Sequence, residues 1–160
     1  KLTGFGVDVA SYDPYVDESV MADAGVEKVA FETLLARSDV VSVHTPLTGE
    51  TEGMFDEDAF RSMRERAVFV NTARGGVVDE SALVRALEDG EIAAAGLDVR
   101  RSEPPSPSPL SEMASVVLTP HVGWYSEDAR RDLNQSVAED VARTLRGEQP
   151  RNPVDPDAGW

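Results

Sequence analysis

The sequence predicts an α/β fold, a doubly wound parallel sheet, on three observations. Short runs of continuous apolar, largely β-branched character recur at residues 39–44, 67–72 and 116–118. Segments with apolar residues at helical spacing separate them. Strands buried on both faces read as such runs, and strand–helix alternation sets them parallel, with helices covering both faces. Polar residues also stand where the runs stop: Asp13, Arg74, Asp98 and His121. Right-handed crossovers place all these strand ends on one edge of the sheet. In an open sheet of this class, ligands bind in the crevice beyond that edge.

The elements follow in order. Residues 2–6 read as the end of a helix, with Gly4 or Gly6 able to take the left-handed cap. A strand at 7–12 stops at Asp13-Pro14. Asp17 is placed to cap a short helix closed by Gly25, and 26–30 is a weak strand. Phe31, Leu34 and Leu35 mark the next helix face, and Pro46 stops the strand at 39–44. Asp56, Ala59, Phe60 and Met63 signal another helix. The strand at 67–72 ends at Arg74-Gly75-Gly76, and Asp79 caps a helix presenting Leu83, Val84 and Leu87, with Gly90 beyond it.

Residues 92–99 form a strand of small residues. Four prolines between 104 and 109 exclude helix or central strand there, because proline donates no ladder hydrogen bond. A last strand at 116–118 ends at Thr119-Pro120-His121. Ser126 starts the longest helix, where Leu133, Val137, Val141 and Leu145 recur every four residues before Gly147. The proline-rich tail from Gln149 reads as extended.

Composition narrows the function. With 160 residues there is room for one domain with a real core. The net charge of -15 argues against nonspecific binding to nucleic acid or to an anionic membrane surface, both of which depend on basic residues. The only lysines are Lys1 and Lys28, a composition that fits either an acidic cytoplasmic protein or one kept soluble in high salt. Cysteine is absent, which excludes disulfides and thiolate metal sites, and no metal site is expected. No apolar run reaches membrane-spanning length and no secretory signal is visible. The sequence begins at Lys1 without a methionine, so the true N-terminus is expected upstream.

Arg74 offers a planar fork of donors suited to two-point contact with a carboxylate or phosphate. Asn71 and the Gly75-Gly76 pair favour a functional over an ordinary surface arginine, since glycine permits close backbone approach. His121 can serve as general acid or base, and Glu103 can fix its tautomer. Arginine, histidine and glutamate together suit reduction of a 2-oxo acid: Arg74 holds the carboxylate, His121 protonates the carbonyl oxygen and Glu103 tunes the ring. No side chain donates hydride, so a cofactor is required. Asp13 suits the ribose hydroxyls of NAD and would repel the extra phosphate of NADP, although aspartate before proline is also an ordinary turn. Asp98 reads either as a strand-end cap or as a contact to the nicotinamide end. His44 reads as a strand-end histidine packed near Pro46.

Asn71-Thr72-Ala73-Arg74-Gly75-Gly76, Gly96-Leu97-Asp98-Val99 with Glu103-Pro104, and Thr119-Pro120-His121 closely resemble the D-isomer-specific 2-hydroxyacid dehydrogenases. Tyr12-Asp13-Pro14 and residues 43–48 fit the same family. Trp124-Tyr125-Ser126-Glu127 is most similar to the C-terminal-binding-protein branch, beside the phosphoglycerate dehydrogenases.

The resemblance implies a Rossmann-like NAD-binding domain. Arg74, Glu103 and His121 would be catalytic. Asp13, Thr45, Thr72, Ala73, Arg74, Asp98, His121 and Gly123 would contact the cofactor, and Arg74 and Trp124 the substrate. Trp124 would favour an apolar substrate side chain, or else belong to the core.

The first strand and the G-x-G-x-x-G turn of that family do not occur among these residues. The expectation is therefore a C-terminal half. Residues 1–125 would be a truncated NAD-binding domain, and 126–160 a helix and tail returning to a substrate domain. The parent would transfer hydride between NAD(H) and a D-2-hydroxy acid or 2-oxo acid. This chain alone would bind NAD weakly and be inactive, and its open helix face would favour a homodimer. Two other readings are an NAD(H)-sensing, corepressor-like interaction protein and a fragment without activity.

Overall fold

The computed structural model describes residues 1–154. Among the described residues, six parallel strands are interleaved with five α-helices, except that the last two strands are joined through the proline-rich loop and a short 3-10 turn. A single 3-10 turn, Leu2–Phe5, precedes β1 (Ala10–Ser11), α1 (Glu18–Asp23) and β2 (Glu27–Lys28). Then come α2 (Phe31–Arg37), β3 (Val40–Val43), α3 (Glu57–Arg61), β4 (Val68–Asn71) and α4 (Glu80–Glu88). The order ends with β5 (Ala94–Leu97), β6 (Val116–Leu118) and α5 (Glu127–Leu145). β3, β4, β5 and β6 are consecutive neighbours in one four-stranded sheet, with Val41 opposite Phe69 and Phe69 opposite Ala95. β1 and β2 form a separate parallel pair, shorter than the runs from 7 and from 26 suggest.

The sheet departs from expectation in its covering. Val41, Val43, Phe69, Asn71, Ala95 and Leu97 are buried on one face. Leu35 of α2, Phe60 of α3 and Leu83 of α4 belong to the same core, so those three helices lie on that side. On the other face Val40 is 59% exposed, and on β6 Val117 is 67% exposed. An apolar run shows that both faces can be buried, but a face is buried only where an element packs on it. α5 has no buried residue, and its apolar row of Leu133, Val137, Val141 and Leu145 is exposed.

Helix starts follow the capping residues in three cases of four. Asp56 accepts from the Ala59 N–H at 2.9 Å, Asp79 from Ser81 and Ala82, and the Ser126 hydroxyl from Ala129 at 3.0 Å. Each satisfies a donor that the first helical turn leaves free. Asp17 occupies the cap position of α1 but makes no side-chain cap bond. Phe55, Phe60 and Phe69 pack at centroid distances of 5.0–6.4 Å, and Phe31 links that cluster to Tyr12 beyond β1. The extended tail is seen as far as Val154, where Arg151 and Asn152 donate to Asp140 of α5; its last six residues lie outside the described residues.

Candidate active site at the carboxyl edge

The turn after β4 is shaped by one buried side chain. Asn71, 1% exposed, donates through Nδ2 to the Arg74 carbonyl at 3.0 Å and accepts at Oδ1 from the Ala73 N–H at 3.0 Å. This closes a tight turn that leaves Thr72 and Arg74 exposed at the edge, with Ala73 packed against the core. Among the described residues the Arg74 guanidinium donates only to the Ala73 carbonyl, at 2.8 Å. Gly75 follows because nothing larger fits: a Cβ there would sit 2.0 Å from the Arg100 carbonyl carbon and oxygen. The Arg74 turn and the turn after β5 are thus in direct backbone contact.

β5 carries Asp98 at its end, and there the carboxylate acts as a cap. It is buried, with Oδ1 accepting from the Thr119 hydroxyl and from the Val122 N–H at 2.9 Å, and Oδ2 accepting from the Gly123 N–H at 2.7 Å. Burial by itself raises its pKa, but these three donors, with the charge of His121, outweigh it and hold the carboxyl below its ordinary value. The loop 119–123 is therefore folded around Asp98. A Cβ on Gly123 would meet Oδ2 at 2.9 Å, so that position also requires glycine-like closeness.

His121 sits in this loop with φ of 53°, the left-handed region that non-glycine residues seldom occupy. Its own N–H donates to the Asp98 carbonyl at 2.8 Å, and its carbonyl accepts from the Trp124 indole N–H at 3.0 Å. Such a conformation persists only where the surroundings over-determine it, and functional sites are where it concentrates. The ring Nδ1 lies 2.8 Å from Glu103 Oε2. That hydrogen bond, first of all, holds the Glu103 carboxyl below the ordinary glutamate value of 4.5; slight burial opposes it, while the Arg100 N–H and the charges of His121 and Arg74 add to it. An ionised Glu103 only accepts, so Nδ1 carries the proton and Nε2 is the nitrogen left to exchange one.

The strand ends thus bring Arg74, Glu103 and His121 to one edge. Asp13 ends β1 on the same edge of the neighbouring pair, where its Oδ1 accepts from Tyr15 at 2.8 Å and Val16 at 3.3 Å. Thr45 is partly buried just after β3. His44, expected to be packed, is exposed and shares a 2.9 Å hydrogen bond with Ser42. Trp124, half exposed, is outside the core and stacks edge-on to Tyr125 at 5.6 Å.

Two residues escaped the sequence reading. Arg100 is buried and makes a two-point ion pair with Glu80, at 2.9 and 2.8 Å. Glu80 registers in the sequence only as an acidic residue in a helix's first turn. An arginine directly after a buried strand was the available signal. The Arg100 hydrogen bonds hold the Glu80 carboxyl below its ordinary value of 4.5, against the effect of burial. A depressed carboxyl stabilises the fold above its unfolded value, and that contribution is lost as pH falls through the folded value. Denaturant unfolding should therefore show the largest stability gap between wild type and Glu80→Gln at neutral pH, narrowing below 4.5. A gap that is independent of pH would remove Glu80 as the titrating group.

Two groups of parallel strands thus present a carboxylate after β1, a guanidinium after β4 and a paired imidazole after β6, the placement expected of ligand-binding groups in an open α/β fold. The sequence profile of the D-isomer specific 2-hydroxyacid dehydrogenase NAD binding domain matches residues 1–123. The chain belongs to that family. It is 43% identical over 159 residues to D-3-phosphoglycerate dehydrogenase from Mycobacterium leprae (strain TN), covering 99% of this chain and 30% of that protein. It is 44% identical over 155 residues to glyoxylate reductase from Korarchaeum cryptofilum (strain OPF8), covering 96% and 47%. The crystal structure of D-lactate dehydrogenase with NAD+ from Lactobacillus jensenii superposes with a TM-score of 0.85 at 31% identity, over 96% of this chain and 50% of that one. The chain thus spans half or less of the length of these relatives.

Proposed function

We propose that the protein carrying this chain interconverts a D-2-hydroxy acid and its 2-oxo acid. The carrying observation is the 2.8 Å contact between His121 and Glu103 at the strand edge that also presents Arg74. Arg74 binds the substrate carboxylate through its fork of donors. His121 gives a proton from Nε2 to the carbonyl oxygen during reduction and takes it back during oxidation. Glu103 holds the ring in the required tautomer and stabilises its charged form. Bound NAD(H) accepts or supplies the hydride.

The residues present fit part of that cofactor. Asp13 keeps Oδ2 without a hydrogen bond among the described residues, available to ribose hydroxyls. Thr45, Thr72, Ala73, Asp98 and Gly123 are the further residues of the edge assigned to it, Asp98 through the loop it folds. No G-x-G-x-x-G occurs in the sequence, so the pyrophosphate lacks that helix-start cradle here. Titration calorimetry on this chain should accordingly show weak or no NAD binding; tight stoichiometric binding would mean the cradle is dispensable.

Residues 1–125 are read as the corresponding part of an NAD-binding domain, and 126–160 as a segment that returns to a substrate domain. The open apolar row on α5 supports that reading, and in this chain alone it favours a homodimer. Trp124 spends its N–H on the His121 carbonyl, which leaves its ring to wall the pocket against an apolar substrate side chain. No helix among the described residues is long and apolar enough to cross a membrane, and the absence of cysteine is in keeping with a cytoplasmic location.

Arg74→Ala is the test of the assignment. Two charge-assisted hydrogen bonds of about 1.5 kcal/mol each correspond to roughly 10²-fold in kcat/KM for the 2-oxo acid. An unchanged kcat/KM would sink it.

A further inference from the structure

Glu80 and Arg100 connect parts of the edge that are far apart in sequence. Glu80 opens α4, six residues after Arg74. Its carboxylate holds the Arg100 guanidinium at two points, and its Oε1 also accepts the Arg101 N–H at 2.7 Å. Arg100 is nine-tenths buried, and its Nη1 has no hydrogen-bond partner among the described residues. A buried ion pair that leaves a donor unpaired is a poor source of stability, since desolvation offsets most of the attraction. Its geometry is the more informative feature. Arg100 also presents its own N–H toward Glu103 Oε1 at 3.4 Å, and its carbonyl fills the space beside Gly75.

We propose that Glu80 is a positioning residue for the Glu103–His121 pair: by gripping Arg100 and Arg101 it fixes the turn 98–103 against the start of α4, so that the Glu103 carboxylate meets His121 Nδ1. Among the described residues, the Glu80 carboxylate bonds to Arg100 and Arg101 and not to the His121 ring. The proposal rests on the reading of His121 and Glu103 as the acid–base pair.

Glu80→Gln keeps the shape and removes the charge. In the protein carrying this chain, kcat should fall about tenfold with little change in KM, and the pH profile should lose the contribution of the pair. In a Glu103→Gln background the same change should add nothing further, because residues acting through one another are not additive. Equal losses in both backgrounds, or an unchanged kcat, would overturn the proposal.

A second readout needs no turnover. The chain has only two histidines, so nitrogen NMR of the imidazoles resolves His121 readily. The hydrogen-bonded Nδ1 signature should be present in wild type and lost in Glu80→Gln; its retention overturns the proposal. If the signature behaves as expected but the wild-type protein reduces no 2-oxo acid, positioning stands and the functional reading fails. Should loss of the charge unfold the protein, Arg100→Lys serves in its place. Lysine preserves the positive charge but cannot make the two-point contact, and the same two readouts apply.

Discussion

If the proposed reaction holds, His121→Asn in the protein carrying this chain is expected to lower kcat/KM for the 2-oxo acid by about 10²–10⁴-fold, the range a positioned general acid or base contributes. Asparagine is chosen for the backbone. Residue 121 has φ of 53°, and asparagine tolerates the left-handed region better than most side chains. The loop should keep its fold, because Asp98 holds it through Thr119, Val122 and Gly123 rather than through the His121 ring. What is lost is the ring nitrogen that exchanges a proton with the substrate. The pH dependence of kcat/KM carried by the imidazole should vanish along with the rate, while thermal unfolding stays close to wild type. A variant that keeps the wild-type pH profile would place the acid–base group elsewhere.

The second large effect is steric. Gly75→Ala would set a methyl group 2.0 Å from the carbonyl of Arg100 and 2.5 Å from the Arg101 nitrogen. Backbone cannot swing aside as the end of a flexible side chain can. The expected cost lies at or beyond the upper end of the ~1–3 kcal/mol usual for overpacking. Relief requires the Arg74 turn and the Arg100 turn to move apart, so activity should fall together with stability. Gly76→Ala is the contrast: the atoms nearest its Cβ would be those of the Leu47 side chain, from 2.8 Å, which can rotate. Urea unfolding of both variants gives the comparison, and an equal cost at the two sites would refute the backbone contact.

Much of this edge was legible from residues alone. A run of β-branched residues that stops at Asn71-Thr72-Ala73-Arg74 announces a strand end with an exposed cation, and the contact between Glu103 and His121 followed from two further strand ends. Asp98 was legible only as an alternative, cap or cofactor contact, because a carboxylate at a strand end serves either. The cap role appears once Val122 and Gly123 are seen to fold over it. The pairing of Glu80 with Arg100 was not legible. A glutamate in a helix's first turn and an arginine in a loop are each commonplace, and their pairing across 20 residues is a product of packing.

The sequence by itself determined the parallel strand–helix alternation, the caps of α3, α4 and α5, and which strand ends carry ionisable groups. These depend on periodicity and on short-range hydrogen bonding, which neighbouring residues encode. Only the tertiary structure decided that one sheet face is covered and the other left open, that α5 packs on neither, and that the turns bearing Arg74 and Glu103 are locked together through Gly75, Glu80 and Arg100. Apolar periodicity states which surface can be buried. Whether it is buried, and which distant charges meet beneath it, depends on the element that arrives to cover it.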